Sequence, residues 1–163
     1  MATAVLVGGV AAYAFWWTEP DAFGGHGNGV GARQQATRMH PVSINMGEAF
    51  GDDETITVHS VRPNLARNTA AADIDFVICE VRSPYGLADS IDDACTSVEP
   101  VDDQRLRLGD ALYDDRAIMM TITPHRAGTV VVRGMWVDYT RDGHHLWQTG
   151  TELAGLDVRL RVE

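Results

Sequence analysis

Lysine is absent from this chain. All 13 basic residues are arginine, and 23 acidic residues outnumber them for a formal net charge of -10. Nucleic-acid phosphates require a basic surface, so the shortage of positive charge excludes a nucleic-acid partner. It also excludes electrostatic adhesion to anionic lipid. Catalytic signatures are missing too. There is no G-x-S-x-G, and no serine has a histidine and an acid at a recognisable offset. The clustered glycines of 24–31 precede the first expected strand instead of following one, which excludes a phosphate-cradling loop. Carboxylates are so abundant that their pairing carries no signal. The chain therefore reads as a non-enzyme, and no cofactor is expected.

What the chain does have is a long uncharged start. Ala2 to Trp17 carries no charged side chain and ends in Phe15, Trp16 and Trp17. Residues 1–17 are expected to form a transmembrane anchor or signal segment, with residues 2–17 meeting the lipid bilayer. As a helix this run spans about 24 Å, short for a bilayer core of about 30 Å. No basic residue precedes it, which suggests a true start upstream of Met1. Ala12-Tyr13-Ala14 fits a signal-peptidase site, whereas the terminal aromatics suit an interfacial belt; the uncleaved anchor is the favoured reading. It implies a single-pass cell-membrane protein with its acidic domain on the extracytoplasmic side. Residues 18–41 form a linker with Gly24, Gly25, Gly27, Gly29 and Gly31, expected to give the domain reach.

Residues 42–163 are long enough for one domain. The chain has two cysteines, Cys79 and Cys95. Export favours a disulfide between them, contributing roughly 3 kcal/mol in the chain-entropy model. Such a bond ties the insert 83–103 across the outer face of its own sheet, covering Val77 and Val81.

From Val42 onward the apolar period is two. Leu156, Val158, Leu160 and Val162 alternate with Asp157, Arg159, Arg161 and Glu163. The same alternation marks Glu54–Val61, Asp73–Val81, Leu106 to Leu108 and Arg116–Thr123. In Thr129–Thr140 one parity is set by Val130 and Val132 and the other by Met135, Val137 and Tyr139, which predicts a β-bulge at Gly134. With Val42–Met46 and a strand after Leu146, about seven short strands point to an all-β antiparallel sandwich. Ser90–Cys95 and Gly109–Asp114 each suit a single helical turn.

Thr123-Pro124, Gly128-Thr129, Gly134-Met135-Trp136-Val137-Asp138-Tyr139 and Gln148-Thr149-Gly150 carry a resemblance. Over roughly the last forty residues the chain resembles small membrane-anchored immunoglobulin-like ectodomains of high-GC, actinobacterial-type bacteria. The resemblance implies fold and placement, not an activity. The spacing of Cys79 and Cys95 departs from the inter-sheet cysteine pair of antibody-type domains.

Asp142-Gly143 signals a two-residue hairpin turn. That turn would pair Tyr139 with Leu146, Thr140 with His145 and Asp138 with Trp147. Trp136, His145 and Trp147 then share the outward face, and this aromatic surface is the expected contact for another envelope or membrane protein. Trp16 and Trp17 extend that expectation to a partner within the membrane. The expected function is an accessory binding module of a cell-envelope complex. The alternative is a metal-handling module. Met39, His40 and Met46 would hold copper, or the acids between Asp89 and Asp115 would hold calcium.

Overall fold

The computed structural model describes residues 22–23, 32–46, 54–82, 87–108, 116–141 and 148–163. The expectations for residues 1–17, Gly109–Asp114, the Asp142-Gly143 turn, His145 and Trp147 lie outside these residues. Among the described residues, no helix is long and apolar enough to cross a membrane.

Ten strands and one short helix are described: β1 (Ala32–Ala36), β2 (Val42–Asn45), β3 (Glu54–Asn68), β4 (Asp73–Val81), β5 (Leu87–Ala88), α1 (Ile91–Ala94), β6 (Cys95–Pro100), β7 (Gln104–Leu108), β8 (Arg116–Thr123), β9 (Gly128–Arg141) and β10 (Gln148–Val162). They form two five-stranded sheets, ordered β1-β10-β9-β3-β7 and β5-β2-β8-β4-β6. All pairings are antiparallel except β1 with β10. The architecture is a β-sandwich.

The period-two pattern becomes the core. Val158, Leu160 and Val162 of β10 are buried, while Asp157, Arg159 and Arg161 are exposed. Across the sandwich they join Ile44, Ile118, Met120 and Ile122 of the second sheet in one apolar cluster. Burial of such side chains is the main favourable term holding the sheets together, at roughly 25 cal/mol per Å².

The bulge expected at Gly134 is present. Between Met135 and Val132, β9 has two residues where β3 has only Asn64 between Pro63 and Leu65. Gly134 takes φ 75°, and Val132 and Met135 both face the core. The extra residue lets β9 change parity without turning an apolar side chain to water.

The hairpin register is corrected. Gln148 pairs with Arg141 and Thr151 with Asp138, which is not the register that a two-residue turn at Asp142-Gly143 sets. Asp138 therefore has Thr151 opposite it, and not Trp147. The displacement is four residues. An even slip preserves faces, so Tyr139 is still buried and Trp136 still lies on the outer side.

Part of the stretch read as a linker belongs to the fold. Ala22 and Phe23 are buried in the core, and β1 adds an edge strand beside β10. The sequence Ala32-Arg33-Gln34-Gln35-Ala36 has no apolar alternation, and its register on β10 makes it a strand.

The disulfide between Cys79 and Cys95 is present. Both cysteines and Met119 are buried on the outer side of the second sheet, with Val77, Val81, Ile91 and Ala94 packed around them. The insert thus roofs that sheet. Ser90 caps α1 by accepting a hydrogen bond from the Asp93 amide at 3.2 Å.

Candidate functional site

The outer face of the β10–β9–β3 sheet has no such roof among the described residues. Its centre is Trp136 on β9, half-buried, with Leu153 opposite on β10 and Arg62 opposite on β3. The Arg62 guanidinium stands over the indole at 5.8 Å from the ring centroid. This cation–π contact orients both side chains and leaves the arginine exposed.

Next along β9 on the same face is Asp138. Ser60 donates to one carboxylate oxygen and Thr151 to the other. These two hydrogen bonds hold its carboxyl below the usual range; partial burial opposes them, and Arg62 and His59 assist. Thr151 reaches Asp138 only in the observed register.

Beyond it lies a chain that sequence reasoning passed over. His59 Nδ1 is 2.7 Å from Asp103 Oδ1, and its Nε2 is 2.7 Å from Thr140 Oγ1. His59 is the bulged residue between Val58 and Ser60, which turns its ring out onto the sheet face. Asp103 takes φ 55° in the turn before β7. Carboxylate, imidazole and hydroxyl are connected in the order that activates a nucleophile. The side chains of His59 and Asp103 are 42% and 83% exposed, so water screens the array. It organises a polar patch next to Trp136. No spacing in the sequence joins residues 59, 103 and 140, because two separate strands, a bulge and the turn before β7 bring them together.

At the inner side of the same sheet, Glu152 carries a buried polar knot. Tyr139 donates to its Oε2 at 2.7 Å, and the amides of Ala22 and Phe23 donate to the same carboxylate at 2.9 and 3.2 Å. The Ala22 amide is also 2.9 Å from the Tyr139 hydroxyl oxygen. Burial, and then the Glu152 hydrogen bond, push the Tyr139 phenol well above its ordinary value. The knot fastens the chain just after residue 21 onto the domain.

The three residues read as a copper set are separated. Met39 is 62% exposed and His40 is exposed, whereas Met46 is 0% exposed in the core. Met46 faces the core because it continues the Val42–Ile44 parity of β2, so it cannot complete a surface site. Among the described residues, no three histidine, cysteine, aspartate or glutamate side chains converge on a metal position.

Compared with known proteins, the chain matches no family model, no curated protein and no solved structure.

Proposed function

We propose that this chain is a membrane-anchored, extracytoplasmic, immunoglobulin-like binding module that serves as a non-catalytic partner in a cell-envelope complex. Strand order supports the immunoglobulin-like assignment. β10, β9 and β3 adjoin in the order of the G, F and C strands of such a domain, and β2, β8 and β4 in the order B, E and D. The insert between β4 and β8 supplies β5, β6 and β7. The disulfide departs from the antibody pattern, since it joins β4 to β6 within one sheet.

The observation that carries the binding role is the asymmetry of the two outer faces. One is roofed by the disulfide-tied insert. The other presents Trp136, Arg62 and the Asp138 and His59 patch, a mix of aromatic, arginine and ordered polar groups typical of interfaces. Its partner is a membrane-proximal protein. Ala22 is bonded to Glu152, so no more than about 18 Å of extended chain separates it from Trp17. A domain on so short a leash meets what lies at the membrane surface. The glycines of 24–31 join two points that are both on the domain, Phe23 and β1, and so add no stand-off.

The test is affinity purification of the full chain from detergent-solubilised membranes, with Trp136→Ala and Arg62→Ala combined. Loss of co-purifying membrane proteins, with thermal stability unchanged, is the expected result. Unaltered recovery of the same partners by the double variant rejects this face as the contact.

A further inference from the structure

At one end of the sandwich three connections between the sheets lie side by side: residues 37–41 between β1 and β2, 69–72 between β3 and β4, and 124–127 between β8 and β9. Backbone hydrogen bonds lock them together. The Met39 amide donates to the Pro124 carbonyl at 2.8 Å, and the His125 and Arg126 amides donate to the Ala70 carbonyl at 3.2 and 3.0 Å. Met39 takes φ 63° there, a left-handed conformation that a side chain bigger than glycine's enters only at a cost. Among the described residues it is also the most exposed of the large apolar side chains.

We propose that this corner binds a soft univalent cation, cuprous copper being the biological candidate, through Met39 Sδ and His125 Nδ1. The two atoms are 3.4 Å apart. An ion about 2.0 Å from an imidazole nitrogen and about 2.3 Å from sulfur, at a tetrahedral angle, separates those atoms by about 3.5 Å. The opposite ring nitrogen decides which lone pair is available. His125 Nε2 lies 2.7 Å from Asp73 Oδ2, and an ionised carboxylate only accepts, so Nε2 carries the proton. With Nε2 held by Asp73, Nδ1 is the ring nitrogen left to face the thioether, which has no hydrogen to give. The separation of this hydrogen-bond contact is also that of two ligand atoms sharing one cation.

A carboxylate on the far nitrogen of a ligating histidine is the usual support of a metal-bound imidazole. His40, the chain neighbour of Met39, turns its Nδ1 to the Arg38 carbonyl at 3.2 Å, so the partner of Met39 is the distant His125. A thioether selects soft ions over zinc or calcium. The two cysteines, which would compete for such an ion, are consumed in the disulfide. Because Met39 is 62% exposed, the remaining coordination positions open to solvent, which suits an exchangeable ion.

Silver(I), a redox-inert soft ion, is the probe. It is titrated into the full chain in chloride-free buffer, with NMR read at the histidine ring nitrogens and methionine methyl groups. Expected are one saturable site, perturbation of His125 Nδ1 and the Met39 methyl, and affinity at least tenfold lower in Met39→Leu and in His125→Gln. Asp73→Asn weakens binding about 10- to 100-fold. Met46→Leu, a volume-conserving swap in the core, leaves it unchanged. Met39 lies on the surface, so its leucine variant folds, and the same spectra verify this. Absence of saturable binding at micromolar ion overturns the proposal, as does undiminished binding by Met39→Leu or equally tight binding of zinc.

Discussion

Phe23 stands edge-on to the ring of Tyr139, with centroids 5.3 Å apart and planes at 81°. Both rings are buried, and Ala22, 117 positions before Tyr139 in the chain, meets the hydroxyl of the same tyrosine. The contact makes a segment well ahead of the first regular strand a part of the core. Phe23→Ala is expected to destabilise the domain by about 3 kcal/mol, the loss typical of a buried phenylalanine. Urea denaturation of a chain beginning at Thr18, with and without the substitution, measures it. An effect below about 0.5 kcal/mol, the ordinary size for surface changes, would detach this segment from the core.

Asp138 supplies a pH dependence of known sign. Its carboxyl is held low by hydrogen bonds from Ser60 and Thr151. A depressed carboxyl contributes stability above its unfolded value of about 3.9, and that contribution is lost as pH falls through the lower folded value. Asp138→Asn is expected to cost about 1 kcal/mol at pH 7. The gap between the variant and the natural chain narrows below about pH 4. Thermal midpoints between pH 7 and pH 2.5 report it, and a gap that is constant across that range contradicts the assignment.

Reduction of the Cys79–Cys95 bond, or its replacement by Cys79→Ala with Cys95→Ala, is expected to lower stability by roughly 3 kcal/mol for a loop of this size. The loss is local in origin. Amide exchange accelerates first in β6 and α1, which pack on the cysteines, while β9 and β10 keep their protection. Uniform acceleration across both sheets would mean that the roof and the main core unfold as one unit.

Much of the sandwich was legible because period-two burial leaves a direct mark on composition. β2, β3, β4, β7, β8, β9 and β10 each carry it, and so does the parity change at Gly134. β1, β5 and β6 were missed for the converse reason. The side chains of β6 after Cys95 are exposed, and β1 lies at a sheet edge, so neither needs apolar alternation. The hairpin after β9 went astray because Asp142-Gly143 is a local turn signal, whereas the observed register satisfies Asp138 with Thr151 and holds Glu152 against Tyr139. Of the expected contact residues, Trp136 is on the outer face as read; of the alternative metal ligands, Met46 is in the core.

By itself the sequence determined the class of the fold, the faces of its main strands and the partnership of its only two cysteines. Those follow from local periodicity and from counting, neither of which needs a third dimension. Only the tertiary structure decided which distant residues meet. His59 joins Asp103 and Thr140, Glu152 receives the amides of Ala22 and Phe23, and Met39 faces His125 and not His40. The reason is physical. Bulges and inter-sheet connections set the register, and an even shift such as that of the β9–β10 hairpin leaves the apolar faces intact while changing every polar neighbour.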